Sequence, residues 1–256
     1  MWLLINVVQM LYTFLHSAFW ISAAGVVTLV TFSQDIALVM ARRFWAPPLI
    51  KRAGADFHLE PLPEIDWSRP HIFVMNHQSM IDIPCAFAAL PVNIRFVAKE
   101  QLKWVPFIGW FIWMTGMVFV DRSRRNKAVA SLEKAGERIR NGKSIIAYPE
   151  GTRSPDGRVQ PFKKGPFVLA LAAGVPIVPV AIDGSGKVSG KHQVWKLRPA
   201  KVRMKVGQPI STAGLKPADR DQLLHDVRRA VIKLHREIGG EGGVEQDIAA
   251  VGVEGV

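Results

Sequence analysis

The sequence predicts an α/β protein, with a central mixed sheet flanked by helices and an N-terminal membrane-embedded helical segment. Three observations favour this fold class. Short apolar runs rich in β-branched and aromatic residues alternate with helical patterns, which indicates strands and helices in succession. The first 34 residues contain no Asp, Glu, Lys or Arg. Polar loops follow several of the predicted strands, and α/β proteins place reactive groups at such positions.

Residues 1–45 are predicted to form a membrane anchor of one long helix or two helices. As one helix, residues 1–34 would be roughly 50 Å long, whereas a hydrocarbon core is about 30 Å thick. The helix therefore tilts, or it breaks near 22–25 or Ser33 so that a second helix lies shallow in the interface. Four basic residues at positions 42–52 follow, and the positive-inside rule places the next domain on the cytoplasmic face of the inner membrane. The alternative is a buried core helix.

The chain then enters a folded domain, predicted to cover residues 46–238. Its first part, within 44–70, is rich in proline and predicts an extended connection. The apolar run 71–75 predicts a buried strand. A short apolar helix follows Asp82 and ends at Pro91, and 94–99 predicts the next strand.

An uncharged, aromatic-rich stretch covers residues 104–120. It has nearly the length of a membrane span, but Pro106, Gly109 and Gly116 interrupt it. A span here would also put the polar loops before and after it on opposite sides of the membrane. The stretch therefore predicts a helix that lines an apolar channel or lies on the membrane, followed by a strand at 117–120.

The rest of the domain continues the alternation of strands and helices. Helices are predicted at 128–141, 166–174 and 218–238, and strands at 144–149, 175–183 and 202–210, the last of them at an edge of the sheet. Residues 239–256 are rich in glycine and contain four acidic and no basic side chains. They predict a flexible acidic tail.

The charge balance limits the partners of this protein. Its 33 Lys and Arg against 21 Asp and Glu give a net charge of +12, which favours nucleic acid, an anionic membrane surface or a phosphorylated substrate. Eight Trp and 49% hydrophobic residues favour anionic membrane lipids. Nucleic-acid binding through the basic segments 122–127 and 187–205 lacks aromatic platforms or a recognisable module. Cys85, the single cysteine, excludes an internal disulfide, and no motif predicts a metal or a cofactor.

The loop 76–82, with the sequence NHQSMID, holds the first candidates for catalysis. An imidazole such as that of His77 can take a proton near neutral pH, and a carboxylate such as Asp82 would fix its tautomer and favour the cation. The two residues are five apart and are not helical neighbours. A turn must therefore bring Asp82 back, with Asp82 or Ser79 capping the helix that follows. Alone, the pair is equally compatible with a structural histidine and a helix cap.

Four segments, in the same order, resemble the boxes of the glycerolipid acyltransferase family. They are the NHxxxxD box at 76–82, the segment 99–122 that ends in Asp-Arg, the PEGTRS sequence at 149–154 and the proline-valine strand at 175–182. The resemblance covers about residues 70–185. It implies an acyltransferase domain that moves an acyl group from acyl-CoA or acyl carrier protein to the sn-2 hydroxyl of 1-acyl-glycerol-3-phosphate, giving phosphatidic acid.

The resemblance also implies roles for individual residues. His77 would take the proton of the lysophospholipid hydroxyl, which then attacks the thioester, and Asp82 would orient His77. The substrate-binding residues implied by the second and third boxes are Lys99, Arg122, Glu150, Gly151, Thr152 and Arg153. A guanidinium suits phosphate because its planar fork donates two hydrogen bonds. The alternative for Arg153 is an internal ion pair with Glu150 or Asp121.

Two further functions stay open on the sequence. The same chemistry could act on another lysolipid, such as a lyso-ornithine lipid, because the four boxes do not distinguish acceptors. A basic membrane protein could instead bind anionic lipids without catalysis. The intact pair of His77 and Asp82 disfavours that carrier, since a carrier needs no base.

Overall fold

A seven-stranded mixed sheet lies at the centre of the computed structural model, which describes residues 2–120, 136–192 and 196–243. The strands are β1 (Ala55–Leu59), β2 (Ile72–Met75), β3 (Ile94–Lys99), β4 (Val118–Val120), β5 (Ser144–Ala147), β6 (Ile177–Asp183) and β7 (Ala200–Val206). Their spatial order is β1-β7-β6-β2-β5-β3-β4. Neighbouring strands are parallel except β6 and β7, which are antiparallel. The predicted α/β fold with a mixed sheet is confirmed.

Helices cover both faces of this sheet. They are α1 (Trp2–Thr31), α2 (Gln34–Met40), a π-helical turn (Ala41–Trp45), α3 (Ala46–Arg52), α4 (Asp82–Ala89), a 3₁₀ turn (Glu100–Trp104), α5 (Ile108–Met114), α6 (Gly165–Ala173), α7 (Ser185–Val188), a 3₁₀ turn (Pro217–Asp219) and α8 (Arg220–Glu237). Residues 136–140 are also helical, and the earlier part of the helix predicted at 128–141 lies outside the described residues.

Strand β2 divides the interior into two hydrophobic layers. Its side chains alternate, so Phe73 and Met75 pack with α4, whereas Ile72 and Val74 pack with α6 and α8. All four are fully buried, as expected for a central strand with helices on both faces. This burial fixes the backbone at Met75, directly before the polar loop 76–82.

The N-terminal helix α1 is continuous over 30 residues. The chain breaks at Phe32, whose φ of 53° is in the left-handed region, and not within 22–25 as one alternative predicted. By length and composition α1 could cross a membrane, and only 6% of its most apolar window is buried. The helix also packs against α2 and α5. Its location in a membrane stays a prediction.

The predicted extended connection at 44–70 is wrong for its first half. Pro47 and Pro48 lie in the first turn of α3, directly after the π-helical turn Ala41–Trp45, so the chain is helical here and not extended. After Gly54, residues 55–59 form β1, which pairs in parallel with β7. Strand β1 has only five residues, and its alternation of apolar and polar side chains is too short a pattern to predict a strand from the sequence.

Two other predictions near the C-terminus need correction. Strand β7 is not at an edge, because β1 pairs with its outer side. The first five residues of the predicted flexible tail, 239–243, are bonded to the domain: Val159 N donates to Gly242 O at 3.0 Å, and Arg158 pairs with Glu241 at 2.8 Å. Residues 244–256 lie outside the described residues.

Asp35 ties the N-terminal helices to the sheet. Its Oδ1 accepts from Arg95 Nη2 on β3, and its Oδ2 accepts from Lys143 Nζ next to β5, both at 2.8 Å. The Arg95 side chain is 2% exposed, and its Nε donates to Thr115 O at 3.0 Å. The carboxylate therefore compensates a guanidinium that has been removed from water.

Replacing Asp35→Asn is expected to lower the free energy of unfolding by about 2 kcal/mol, because a buried cation loses its counter-charge. Denaturant unfolding in detergent measures the loss. The matched control is Asp66→Asn, since the Asp66–Arg69 pair is exposed and an exposed ion pair contributes little to stability. Equal losses in the two variants would contradict this role for Asp35.

Candidate functional site

The polar loops after β2 and β5 meet at one edge of the sheet. The two strands are adjacent and parallel, so their carboxyl ends lie side by side. His77 N donates to Glu150 Oε1 at 3.2 Å, and Ser154 N donates to His77 O at 2.6 Å. Two segments that lie more than 70 residues apart in the chain thus form one hydrogen-bonded site.

His77 and Asp82 are in direct contact. The Nδ1 atom of His77 lies 2.7 Å from Oδ2 of Asp82, and the Asp82 side chain is fully buried. The same oxygen accepts from the backbone N–H groups of Gln78 at 2.7 Å and Ser79 at 2.9 Å. Three donors on one buried oxygen stabilise the ionised carboxylate. The turn expected to bring Asp82 back to His77 is present.

The prediction that Asp82 or Ser79 caps the next helix is wrong. Helix α4 begins at Asp82 without a side-chain cap, and the carboxylate bonds the loop that precedes it instead. The Ser79 hydroxyl donates to Ser189 O at 2.7 Å. Both side chains hold the loop 76–82 in shape.

Tyr148, at the end of β5, stacks on the imidazole of His77. The ring centroids are 4.2 Å apart and the planes differ by 22°. Its hydroxyl is buried and has no hydrogen-bond partner in the described part of the chain, as is also true of Asp82 Oδ1. Burial, together with the charges of Asp82 and Cys85, raises the pKa of Tyr148 well above its usual value. The tyrosine is therefore neutral, and its ring fixes the plane of His77.

Glu150 is a buried carboxyl beside this pair. Burial, reinforced by the charge of Asp82, raises its pKa to about 8, although the backbone N–H groups of His77 and Gln160 oppose the shift. Its Oε2 has no hydrogen-bond partner among the described residues. Glu150 therefore holds its proton at neutral pH, and the carboxyl group that contacts the His77 ring is that of Asp82.

Arg153 lies in the loop after β5, next to Ser154, whose N–H is bonded to His77 O. Its Nη1 is buried and has no hydrogen-bond partner within the described ranges, and the predicted alternative of an ion pair with Glu150 is not formed there. Asp121, the other suggested partner, lies outside those ranges. A buried guanidinium nitrogen without a partner marks a place for an anion or water.

The remaining predicted residues are placed unequally. Gly151 has a φ of 75°, a conformation that glycine adopts without steric cost, and Thr152 is exposed. Lys99 ends β3 by its backbone, but its side chain lies outside the described part of the structure, as does all of Arg122. The structure thus brings His77, Asp82, Glu150, Gly151 and Arg153 together.

A second polar network, which the sequence analysis did not predict, contacts the loop 76–82 through the Gln78 side chain. Gln78 is 2% exposed, and its Nε2 donates to Gly157 O at 2.8 Å and lies 3.1 Å from Nε2 of His235 on α8. His235 also lies 3.3 Å from Asp183 Oδ1. Although burial opposes it, the hydrogen bond from His235 holds the pKa of Asp183 below its usual value. The position of His235 on an amphipathic helix did not indicate its contacts with Gln78 and Asp183.

Asn76 joins the loop to β6 by two hydrogen bonds. Its Nδ2 donates to Ile182 O at 2.9 Å, and its Oδ1 accepts from Ile182 N at 2.8 Å. An amide side chain here completes the backbone pairing that β2 would otherwise lose at its end. The neighbour of His77 is therefore fixed on both sides.

Comparisons with known proteins agree on one family. A family model described as Acyltransferase matches residues 56–183. The mouse 1-acyl-sn-glycerol-3-phosphate acyltransferase alpha is 32% identical over 176 residues, which cover 68% of this chain and 62% of that protein. The 1-acyl-sn-glycerol-3-phosphate acyltransferase of Saccharomyces cerevisiae is 37% identical over 175 residues, which cover 67% of this chain and 57% of that protein. The chain thus spans about three fifths of the length of these relatives.

A solved structure extends the likeness to nearly the whole fold. The crystal structure of the 1-acyl-sn-glycerophosphate (LPA) acyltransferase PlsC from Thermotoga maritima superposes with a TM-score of 0.80 at 29% identity. The match covers 95% of this chain and 100% of that chain. The similarity therefore includes the N-terminal helices as well as the sheet.

The Glu150 carboxyl predicts a dependence of stability on pH. Its pKa is raised from 4.5 to about 8 in the folded protein, so its contribution to stability is full below pH 4.5 and is lost as pH rises through about 8. Glu150→Gln keeps an oxygen that can accept from His77 N and cannot ionise. The free energy of unfolding should therefore decline less steeply across this window in the variant than in the wild type.

Denaturant titrations at several pH values measure that difference. The control is Glu64→Gln, an exposed carboxyl, which should leave the slope unchanged. A Glu150→Gln protein with the wild-type slope would show that this carboxyl does not hold its proton in the folded state.

Proposed function

This chain belongs to the acyltransferase family, and we propose that it moves a fatty acyl group from an acyl thioester to the sn-2 hydroxyl of 1-acyl-glycerol-3-phosphate. The observation that carries the proposal is the 2.7 Å contact between His77 Nδ1 and Asp82 Oδ2 at the carboxyl edge of the sheet. With Nδ1–H bound to Asp82, Nε2 is the ring atom that accepts a proton. The mouse, yeast and Thermotoga proteins, each named as an acyltransferase of this acceptor, support the choice.

The reaction balances without a covalent enzyme intermediate. His77 Nε2 takes the proton of the acceptor hydroxyl as its oxygen attacks the thioester carbonyl carbon. The C–S bond then breaks, and the imidazolium returns the proton to the thiolate that leaves. A thioester is already activated, so no serine or cysteine nucleophile is required. Asp82 stabilises the imidazolium during the transfer.

Arg153 is proposed to bind the phosphate of the acceptor. The residue precedes Ser154, whose N–H is bonded to His77 O, so its backbone lies beside the base. A phosphate oxygen would satisfy the buried Nη1, which has no partner among the described residues, through a charge-assisted hydrogen bond. Gly151 and Thr152 would contact the glycerol, with Arg122 and Lys99 as further cations.

Glu150 is proposed to position the base without sharing its charge. Its Oε1 accepts from His77 N, while the raised pKa keeps the carboxyl neutral. A second anion at this position would compete with Asp82 for the His77 proton. The neutral acid leaves Asp82 to set the tautomer.

The N-terminal helices and α5 are proposed to embed one face of the protein in the inner membrane. Three tryptophans next to or on α5 are largely exposed: Trp104 at 79%, Trp110 at 60% and Trp113 at 79%. Phe107 contacts Phe14 of α1 edge to face, with ring centroids 6.2 Å apart. Exposed aromatic and apolar side chains on neighbouring helices suit the membrane interface. The anchor would comprise residues 1–45, with the acyltransferase domain at 46–238 on the cytoplasmic face.

Another lysolipid acceptor with the same chemistry is the second candidate, because the proposed base and the proposed phosphate-binding cation do not define the rest of the headgroup. Acyl-CoA and acyl carrier protein are both compatible donors. The net charge of +12 favours either an acidic carrier protein or anionic lipids near the site.

The proposal is tested by acyl transfer from labelled acyl-CoA and acyl carrier protein to a panel of lysophospholipids. His77→Ala is expected to lower kcat by at least about 100-fold, because general-base catalysis contributes that much or more. Asp82→Asn should also lower kcat, since the amide cannot stabilise the imidazolium. Circular dichroism and thermal unfolding verify that both variants fold.

The outcomes separate the candidates. Turnover of 1-acyl-glycerol-3-phosphate by the wild type but not by His77→Ala supports the proposed acceptor and base. Turnover of a different lysolipid alone would identify that lysolipid as the acceptor and leave the proposed acyl-transfer reaction unchanged. A wild type that binds anionic lipid vesicles but transfers no acyl group would refute the enzyme and favour a carrier.

The stacking of Tyr148 on His77 gives a further prediction. Tyr148→Phe keeps the ring and should retain most activity, whereas Tyr148→Leu removes the aromatic face that stabilises the imidazolium and should lower kcat by about tenfold. Steady-state kinetics of acyl transfer measure both variants. A wild-type kcat in Tyr148→Leu, or an equal loss in Tyr148→Phe, would contradict this role of the ring.

A further inference from the structure

A basic cleft lies at the amino-terminal edge of the sheet, opposite the edge that carries His77. The strands β2, β3 and β5 are parallel, so the ends where they begin lie together and away from the site described above. The cleft has a volume of about 290 Å³. The charged side chains that line it are Asp35, Arg42, Arg69, Arg95 and Lys143.

Positive charge exceeds negative charge in this cleft. Asp35 is shared by Arg95 and Lys143, each at 2.8 Å. Arg69 pairs with Asp66 at 3.1 Å on the exposed rim. Arg42, which is half-buried, has no acidic partner within the described parts of the chain. Four cations therefore line a cleft whose wall holds one carboxylate, and an anionic ligand would complete the charge balance.

Arg95 supplies a second, independent observation. Its side chain is 2% exposed, and Nε and Nη2 are bonded, but Nη1 has no hydrogen-bond partner in the part of the chain that the structure describes. A buried N–H without a partner is costly and marks a place where an ion or water belongs.

The chemistry of the lining favours phosphate. Guanidinium groups match the geometry of phosphate oxygens and donate paired hydrogen bonds. Ser68 and Asn93 add neutral polar groups to the wall. A volume of about 290 Å³ is sufficient for a phosphate group with its glycerol.

The cleft also lies close to the apolar surface of the protein. Its outer wall is formed by α2 and the π-helical turn, which follow directly after α1. The same two elements carry exposed apolar side chains, Ile36 at 40% and Phe44 at 48%. A phosphate in the cleft can therefore belong to a molecule whose apolar part contacts these side chains.

We propose that this cleft is a second phosphate-binding site, separate from the His77 edge, that takes the phosphate of an anionic phospholipid headgroup or of a small soluble phosphate. Arg42 and Arg69 bind the phosphate oxygens, while Arg95 and Lys143, held by Asp35, provide the positive field behind them. The proposal does not depend on acyl transfer, because the cleft and the catalytic loop lie at opposite ends of the strands.

The test measures binding by the full chain in detergent at low ionic strength, using isothermal titration calorimetry. The probes are inorganic phosphate and dihexanoyl-phosphatidylglycerol, with zwitterionic dihexanoyl-phosphatidylcholine as the lipid control. All proteins carry Arg153→Gln, which removes the phosphate contact proposed at the other edge. Arg42→Gln is compared with Arg43→Gln, its exposed neighbour on the same π-helical turn that does not line the cleft.

At least one anionic probe is expected to bind the Arg153→Gln protein, and Arg42→Gln should weaken that binding about tenfold. Arg43→Gln should change it less than twofold, and phosphatidylcholine should bind no better to one variant than to the other. Stronger binding of phosphatidylglycerol than of phosphate identifies a lipid headgroup as the source, and the reverse order identifies a soluble phosphate. Absence of binding by both anionic probes, or equal effects of Arg42→Gln and Arg43→Gln, would overturn the proposal.

Discussion

The contact between His77 Nδ1 and Asp82 Oδ2 is the interaction on which the loop 76–82 and the proposed catalytic edge depend. A fully buried carboxylate is costly unless several donors compensate it. Here one oxygen accepts from the imidazole and from two backbone N–H groups of the same loop. The backbone N–H groups of the loop therefore stabilise the Asp82 carboxylate, and their hydrogen bonds to it stabilise the conformation of the loop. This mutual requirement fixes both the tautomer and the direction of the ring.

The rest of the fold keeps that loop rigid. Strand β2 is buried on both faces, and the amide of Asn76 extends its pairing with β6. On the opposite side, Gln78 Nε2 donates to Gly157 O and lies beside His235 of α8, while Tyr148 covers the imidazole. Each contact comes from a different element. A change in the packing of α8 could therefore alter catalysis although α8 contributes no proposed catalytic group.

Much of the site could be predicted because its residues are close in sequence or follow recognisable strands. His77 and Asp82 lie within one loop, and a buried strand preceded each of the two polar loops. The fold class followed from the alternating patterns. Strand β3 has the predicted bounds 94–99, and β6 begins at 177, two residues after the start of the strand predicted at 175–183.

The contacts that were missed depend on pairings that local patterns do not encode. His235 reaches Gln78 across 157 residues, and its helix showed only ordinary amphipathicity. The order of β1 and β7 at the sheet edge depends on parallel pairing between segments more than 140 residues apart. Tyr148 lies in an apolar run whose sequence gave no reason to separate it from the core. The Asp35–Arg95 pair likewise joins two segments with no shared motif.

The most direct test of the central claim is a crystal structure of the protein with 1-acyl-glycerol-3-phosphate bound in the absence of an acyl donor. The distance to measure is that from the sn-2 hydroxyl oxygen to His77 Nε2. We expect about 2.6–3.2 Å, as general-base catalysis requires, with the acceptor phosphate on Arg153. An acceptor bound at the catalytic edge with its hydroxyl directed away from His77 would contradict His77 as the base.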